Sequence, residues 1–204
     1  MKLNIHHEYV AIGSQKSENR IILLHGWGAD YHDLLPLGEE IIKDLGLDFQ
    51  IISLRAPLTN HENNGKEWYS LFPANWDQAK EEVDKLTISL KTLGKSNIKL
   101  SKTVLLGFSQ GAAMAIAAGS ELDLGLIVSC SGYPHPNWNY RVQCPILLSH
   151  GLKDNIVPSA ASRDMFERIK SNKNSKSQLH EFNGFHEIDS NFIKVIRNNI
   201  KQIF

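Results

Sequence analysis

The stretch Gly107-Phe108-Ser109-Gln110-Gly111 carries the residue types and spacing best suited to chemistry in this sequence. An apolar run at 103–106 precedes it and predicts a strand, and the alanine-rich run at 112–118 predicts a helix. A Gly-x-Ser-x-Gly pattern between a strand and a helix is typical of a nucleophile elbow, a sharp turn that raises the serine oxygen above the sheet. We therefore predict that Ser109 is a nucleophile, placed where the helix dipole favours developing negative charge.

Two later residues could activate this serine. A serine hydroxyl is a weak nucleophile at neutral pH, and it needs a histidine base that is itself oriented by a carboxylate. Asp154 follows the apolar run 145–149 and His186 follows the run 178–182, so each is expected in a loop at the carboxyl end of a strand. The chain order Ser, Asp, His is the one that accompanies a nucleophile elbow. The sequence therefore predicts a Ser109, Asp154, His186 triad.

Other histidines and carboxylates are alternative bases and acids. His25 and His150 also follow predicted strands, but each begins a His-Gly pair at a tight turn, which favours a structural role. Asp123 precedes its strand, and Asp189 is expected to cap the last helix. His180 lies within a predicted strand. The remaining histidines are expected on the surface or in loops: His6, His7, His32, His61 and His135.

An oxyanion hole is the next requirement, because acyl transfer places negative charge on the carbonyl oxygen. One donor should be the backbone N–H of Gln110, the residue after the nucleophile. We predict that the other is the backbone N–H of Trp27, with Gly28 beside it, in the loop after the strand Ile21–Leu24. The Trp27 indole would also cover the substrate; the alternative is a tryptophan that packs in the core. No His, Asp and Cys residues have metal-ligand spacing, so we predict no metal and no cofactor.

Residues 55–75 form the longest segment without periodicity, and long irregular loops in compact domains usually carry function. Its apolar residues predict one wall of an open groove, whose substrate-binding residues would be Trp68, Leu71 and Phe72 together with Trp27; Tyr69 is expected on the same wall. The alternative is that some of these rings belong to the core, which we weigh most heavily for Trp76. The segment 130–141 is too short for a cap domain, so the groove should be open.

The remainder of the chain alternates strands and helices, which predicts an α/β fold with a mostly parallel sheet and helices on both faces. Its 204 residues fit a single domain, 1–204. Further strands are expected at 8–12, as an edge hairpin with 3–5, and at 49–54 and 124–129. Further helices are expected at 35–45, 79–93 with Asn75 as N-cap, 159–169 and 192–203.

The composition of the chain excludes several classes of binding partner. Lys+Arg 22 balance Asp+Glu 22, which argues against a nucleic-acid partner or an anionic membrane surface. No apolar run approaches the roughly 20 residues of a membrane span, and the first residues contain no apolar leader, so we expect no stable membrane insertion. Cys130 and Cys144 adjoin apolar strands and are expected as buried free thiols. These features predict a cytoplasmic protein, and they leave a weak homodimer open.

Several motifs together resemble the phospholipase/carboxylesterase family of α/β-hydrolases, which includes acyl-protein thioesterases and small bacterial carboxylesterases. The resemblance covers nearly the whole chain. It implies the Ser109, Asp154, His186 triad, an oxyanion hole of the Trp27 and Gln110 amides, and no cap domain. Ala112, where a glycine often follows the elbow, and Phe185, before His186, depart from the pattern. The motifs are Leu24-His25-Gly26-Trp27-Gly28, Gly107-Phe108-Ser109-Gln110-Gly111, Ser131-Gly132, His150-Gly151-x-x-Asp154-x-x-Val157-Pro158 and Gly184-x-His186.

The activity that this resemblance implies is that of a serine carboxylesterase acting on small-molecule esters. Short to medium acyl esters, thioesters and lysophospholipids are the expected substrates. Two other classes stay open: a non-catalytic small-molecule-binding protein on a hydrolase scaffold, and a serine peptidase. A binding protein typically lacks a triad member, whereas all three are present here. Peptidases of this fold usually need a substrate-gating domain, for which this chain has no room.

Overall fold

The computed structural model of the chain describes residues 5–136, 138–139, 141–171 and 176–204. Its centre is a seven-stranded sheet of strand order β1-β3-β2-β6-β7-β8-β9, beside a two-stranded sheet of β4 and β5. The strands are β1 Tyr9–Ile12, β2 Asn19–Leu24, β3 Phe49–Leu54, β4 Leu58–Thr59, β5 Lys66–Glu67, β6 Thr103–Phe108, β7 Leu126–Cys130, β8 Ile146–Gly151 and β9 Gln178–Phe182. The helices are α1 Leu35–Ile42, α2 Trp76–Gly94, α3 Gln110–Gly119, α4 Ala160–Lys170 and α5 Ser190–Ile203, with a 3₁₀ turn at Leu100–Lys102.

The large sheet is parallel except at one edge, where β1 pairs antiparallel with β3. Its central strands are apolar on both faces because helices cover both sides. Alternate residues of β2 enter different cores. Ile21 and Leu23 lie in the core that holds residues of α1 and α5, while Ile22 and Leu24 lie in the core that holds residues of α2, α3 and α4. The predicted mostly parallel α/β architecture is confirmed.

Local sequence signals set the helix ends. Asn75 caps α2, since its side chain accepts a hydrogen bond of 3.0 Å from the Gln78 N–H. Pro36 lies in the first turn of α1, which begins at Leu35, as its fixed φ favours. In α5 the buried residues recur every four positions and face the sheet: Phe192, Ile196 and Ile200. These assignments agree with the sequence patterns.

Two features differ from the sequence expectations or fall beyond them. Residues 55–75 contain the β4–β5 hairpin, and Lys66 also forms a bridge with Ala29, so this segment is more ordered than its lack of periodicity indicated. The expected strand at 3–5 falls mostly on residues outside the described part of the chain.

Within the described residues, none of the helices is long and apolar enough to cross a membrane. Cys130 and Cys144 are buried free thiols, as expected.

His7, expected on the surface or in a loop, lies in the loop before β1 and is buried there. The residue is only 5% exposed, its Nδ1 lies 3.2 Å from Ser89 Oγ on α2, and its ring lies 5.5 Å from that of Trp68. Burial, together with the positive charges of nearby His6 and Lys85, lowers the pKa of His7 to about 4. The N-terminal segment is therefore anchored to α2 by a neutral imidazole.

This burial predicts a pH-dependent stability. Between pH 6.5 and 4 the unfolded chain binds a proton at His7 that the folded chain excludes, so stability is full above pH 6.5 and falls as the pH drops toward 4. His7→Asn should reduce the slope of unfolding free energy against pH by up to about 1.4 kcal/mol per pH unit. Urea unfolding at pH 7.5, 6 and 5 measures this slope. The same substitution at exposed His32 is the control, and an unchanged slope in His7→Asn would contradict the prediction.

Candidate active site

The nucleophile elbow lies between the end of β6 and the start of α3. Ser109 has φ 53° and ψ −116°, a strained conformation for a residue with a side chain. A Cβ atom on Gly111 would lie 2.1 Å from the Leu24 carbonyl oxygen, and one on Gly107 would lie 2.2 Å from the Gly111 oxygen. Both positions therefore require glycine, because strand β6, helix α3 and the end of β2 meet there. The turn exists only because these two side chains are absent.

The loops after β8 and β9 meet in the same way. A Cβ atom on Gly151 would lie 2.1 Å from the Phe185 carbonyl oxygen, so only glycine allows this approach. Backbone hydrogen bonds then join the loops: Leu152 N–H donates to Phe182 O at 2.8 Å, and Lys153 N–H donates to Gly184 O at 2.9 Å. Asp154 and His186, which are 32 residues apart, are brought into contact by these bonds.

Ser109, His186 and Asp154 form a continuous hydrogen-bonded chain. Ser109 Oγ lies 2.9 Å from His186 Nε2, and His186 Nδ1 lies 2.6 Å from Asp154 Oδ2. Since an ionised carboxylate can only accept, Nδ1 carries the proton and Nε2 is free to accept from the Ser109 hydroxyl. This is the geometry that a histidine needs to act as a general base toward a serine.

The Asp154 carboxyl is fully buried, and its surroundings decide its charge. Burial alone would raise its pKa, but hydrogen bonds from the His186 ring and from the N–H groups of Val157 and Ile156 outweigh burial and hold the pKa below its ordinary value. Oδ1 accepts both backbone bonds, at 2.8 Å from Val157 and 2.9 Å from Ile156. The carboxylate is therefore ionised at neutral pH and points one oxygen at the imidazole.

The predicted oxyanion donors lie at the start of α3 and in the loop after β2. Gln110 is the first residue of α3, so its N–H has no acceptor within the helix. In the described part of the chain we find no acceptor for the Trp27 N–H, whereas the Gly28 N–H donates to Lys66 O at 2.8 Å. Since the Gly28 amide already has an acceptor, Trp27 remains the predicted oxyanion donor of this loop.

The loop after β2 that carries the predicted oxyanion donor Trp27 is called the oxyanion loop below. His25 holds this loop, in line with the structural role expected for it. Its Nδ1 donates to Gly26 O at 2.8 Å, and its Nε2 accepts from the Ala56 N–H at 3.1 Å. Burial lowers the pKa of this ring, which fits a neutral imidazole with one donor and one acceptor. Asn63 Nδ2 also donates to Gly28 O at 3.0 Å, so the β4–β5 hairpin clamps the loop from outside.

Trp68 was predicted to line the substrate groove, and the structure corrects this. The residue is fully buried, and its indole N–H donates to His25 O at 2.9 Å. Its backbone N–H donates to the Gln110 side-chain oxygen at 3.0 Å. Tyr69, expected on the same wall, is also fully buried, with its hydroxyl 2.8 Å from that of Tyr133. Both rings lie inside because their polar atoms find buried partners there.

Of the other predicted substrate-binding residues, Phe72 is exposed, while Trp27 and Leu71 are partly buried. Phe72 is 77% exposed and meets Trp27 edge-on, with ring centroids 5.6 Å apart. These two residues and Leu71 line a cavity of about 170 Å³ beside the oxyanion loop. The cavity is less apolar than the sequence indicated, since polar side chains complete its wall: Asn60, His61, Glu62, Glu67 and Ser70. Trp76, weighed as a core residue, is 39% exposed at the start of α2.

The sequence did not indicate the role of the Gln110 side chain. It also offered His180 and Asp189 as alternative site residues, and these two lie outside the site. The Gln110 side chain, considered only for its amide, is buried, and its Nε2 donates to Tyr69 O at 2.7 Å. His180 Nε2 lies 2.8 Å from Asp189 Oδ2, so the alternative acid Asp189 pairs with a different histidine. No local pattern could have indicated these contacts, because each joins segments that meet only in the folded chain. Across the described residues, no group of three or more His, Cys, Asp or Glu side chains is placed to hold a metal ion.

Comparison with known proteins decides the family. The family model described as Phospholipase/Carboxylesterase matches residues 5–204. The chain belongs to the phospholipase/carboxylesterase family. It is therefore an enzyme of a serine hydrolase family with the α/β-hydrolase fold and, among the described residues, without a cap domain.

Curated relatives and solved structures agree with this assignment. The chain is 29% identical to acyl-protein thioesterase 1 of Debaryomyces hansenii over 72% of this chain and 75% of that protein. It is 28% identical to acyl-protein thioesterase 1 of Yarrowia lipolytica over 89% of this chain and 92% of that protein. The crystal structure of esterase PE8 superposes with a TM-score of 0.87 at 25% identity, covering 98% of this chain and 100% of that one. The Bacillus cereus carboxylesterase, with a TM-score of 0.81 at 20% identity and coverage of 98% and 96%, shares the fold.

The burial of Trp68 predicts a particular kinetic effect. Trp68→Phe keeps most of the ring but removes the N–H that donates to His25 O, so the oxyanion loop should lose rigidity. We expect kcat to fall about fivefold, the equivalent of one hydrogen bond, with little change in KM. Steady-state kinetics with a soluble short-chain ester measures both constants.

Phe72→Ala is the matched comparison, since it truncates an exposed ring of the same segment. It should raise KM more than it lowers kcat, because an open wall binds ground and transition states alike. A rise in KM for Trp68→Phe with unchanged kcat would contradict the positioning role and return Trp68 to the groove wall.

Proposed function

We propose that the protein is a serine carboxylesterase that hydrolyses short to medium acyl esters through Ser109, His186 and Asp154. The observation that carries the proposal is the hydrogen-bonded chain from Ser109 Oγ through His186 to a buried, ionised carboxylate, with distances of 2.9 Å and 2.6 Å. Assembling this chain requires a strained serine and three close contacts that only glycine allows, at Gly107, Gly111 and Gly151. Its position at the carboxyl edge of the sheet is where open α/β sheets bind ligands.

In the proposed reaction His186 Nε2 takes the Ser109 proton as Ser109 Oγ attacks the acyl carbon. The carbonyl electron pair moves to oxygen, and the N–H groups of Trp27 and Gln110 stabilise the resulting oxyanion. Asp154 stabilises the imidazolium, which gives its proton to the departing alkoxide or thiolate. The acyl group is then bonded to Ser109.

The second half repeats these steps with water. His186 deprotonates the water, the hydroxide attacks the acyl carbon, and the tetrahedral oxyanion again occupies the hole. Collapse expels Ser109 Oγ, which recovers its proton from His186, and releases the carboxylic acid. Every proton taken by His186 is returned within the cycle, so these side chains and amides account for the proposed hydrolysis.

The proposed substrate class rests on the shape and polarity of the cavity beside Trp27. The cavity beside Trp27 is open and partly polar, and the described residues between β7 and β8 form no helix over it. We propose that soluble esters, thioesters and lysophospholipids reach Ser109 without a lipid surface. The names of the fungal relatives, acyl-protein thioesterase 1, favour including thioesters.

The cellular location and the oligomeric state of the protein are also part of the proposal. The thiols of Cys130 and Cys144 are free, which is the usual state of cysteine in a reducing compartment, and we propose a cytoplasmic location. The proposed partner is a small-molecule ester. A weak homodimer remains a prediction, which analytical ultracentrifugation would test.

Selective labelling tests whether Ser109 is an activated nucleophile. A fluorophosphonate probe should modify Ser109 in the native protein, and labelling should vanish after heat denaturation or in Ser109→Ala. Ser131→Ala is the matched control, because Ser131 follows the neighbouring strand β7 and also has a positive φ of 51°. It should keep the label. An adduct located by mass spectrometry at another residue, or none, would favour the non-catalytic binding protein.

The acid and base should act as a unit. Asp154→Asn should lower kcat by up to about 10⁴-fold, because the imidazole loses its orientation and its stabilising charge. His186→Ala should lose at least as much, and the double mutant should be scarcely slower than the slower single mutant. Activity should also fall on acidification as His186 takes up a proton, while Asp154 stays ionised because its pKa is lowered. Multiplying losses would place one of the two residues outside the triad.

A further inference from the structure

Asp154 contacts a second imidazole besides that of His186. His150 Nε2 lies 3.2 Å from Asp154 Oδ2, the same oxygen that accepts from His186 Nδ1. The side chains of His150 and Asp154 are both fully shielded from solvent. A buried polar group without a hydrogen-bond partner destabilises the fold, so we identified the partners of each polar atom in this contact.

The surroundings of His150 fix which nitrogen carries its proton. Nε2 lies 2.8 Å from Val157 O, and a carbonyl oxygen can only accept, so Nε2 carries a hydrogen. Nδ1 lies 2.6 Å from Ser162 Oγ on α4. Because Nε2 carries the hydrogen, Nδ1 is the acceptor of the neutral tautomer, and the Ser162 hydroxyl then donates to it and not to Gly132 O, which lies 3.4 Å away. In this tautomer the His150 Nε2–H donates to Val157 O, and the same nitrogen lies 3.2 Å from the Asp154 carboxylate.

We infer that His150 is a positioning residue that acts through Asp154, an inference that rests on the triad proposed above. Oδ2 of Asp154 accepts from His186 and has the His150 N–H at 3.2 Å, while Oδ1 accepts from two backbone N–H groups. These contacts enclose both oxygens of the carboxylate and hold its orientation when His186 gains and loses its proton. The same N–H draws charge from Oδ2, which weakens the hold of Asp154 on the His186 proton.

Other charged groups near this pair do not share the role. Lys153, beside Asp154 in the loop, has its Nζ 6.0 Å from the centre of the Phe185 ring. On the elements packed around β8, Arg163 of α4 pairs with Glu181 of β9 at 2.6 Å. The two imidazoles are therefore the titratable side chains in direct contact with the Asp154 carboxylate among the described residues.

The experiment replaces the donor and follows the base directly. His150→Met fills the space with an adaptable apolar side chain but provides no N–H. His150→Gln retains a donor that can occupy the place of Nε2. His180→Met is the matched control, since His180 forms an equivalent imidazole–carboxylate contact with Asp189 outside the triad. The His186 ring is titrated by NMR, with its signal assigned from His186→Gln, and kcat is measured across pH in parallel.

We expect the His186 titration midpoint and the acidic limb of the rate profile to move up by about half a pH unit in His150→Met, because Asp154 then holds the imidazolium more strongly. The maximal kcat should fall about tenfold, the equivalent of one charge-assisted hydrogen bond. His150→Gln should restore the midpoint, and His180→Met should leave it unchanged. A merely structural role would lower stability or kcat without moving the midpoint.

Ser162→Ala keeps the test decisive if His150→Met does not fold. It leaves the ring in place but removes the hydroxyl that polarises it, so the midpoint should move in the same direction by a smaller amount. An unmoved midpoint in whichever of these variants folds, or an equal shift in His180→Met, overturns the inference. The NMR titration does not require catalysis. If the His186 midpoint moves as expected but the protein has no esterase activity, the proposed function is wrong and the coupling of His150 to His186 is still shown.

Discussion

The approach of helix α3 to the end of β2 is the constraint on which the site depends. Gly111 lies so close to the Leu24 carbonyl that no side chain fits between them. This contact forces Ser109 into its strained turn, and it also brings the loop that follows β2 beside the nucleophile. The Trp27 and Gln110 amides, which we propose as the oxyanion donors, lie in segments that are far apart in sequence and that this contact joins. A methyl group at Gly111 would displace both at once.

The strain at the elbow is held by buried polar contacts around it. Trp68 is a connecting residue, since its indole donates to His25 O and its backbone donates to the Gln110 side chain. A second set of contacts fixes the acid, with His150 and two backbone amides around Asp154. These bonds lie in an interior of low polarity, where leaving one unpaired would cost about 1–3 kcal/mol. The reactive atoms are thus positioned by groups that never touch the substrate.

Sequence reasoning succeeded where a signal is local. The strand and helix that flank Ser109 could be recognised from a run of apolar residues and a run of alanines, and the positions of Asp154 and His186 followed from the strands before them. It failed where burial depends on distant neighbours. Trp68 was placed on a groove wall because an aromatic residue in an irregular loop carries no sign of whether its N–H will find a buried acceptor. The burial of the loop residue His7 was not predicted for the same reason, since Ser89 approaches it only in the folded chain.

The proposed mechanism requires Ser109 to carry the acyl group of the substrate. Rapid quenching of the enzyme with an excess of a soluble aryl ester, followed by mass spectrometry of the digested protein, tests it most directly. When deacylation is slower than acylation, we expect a burst of the released alcohol approaching one per chain, with the acyl mass added to the peptide that contains Ser109. In Ser109→Ala both the burst and the adduct should vanish. Steady release of alcohol with the acyl mass on a different residue, or an undiminished rate in Ser109→Ala, would show that Ser109 is not the nucleophile.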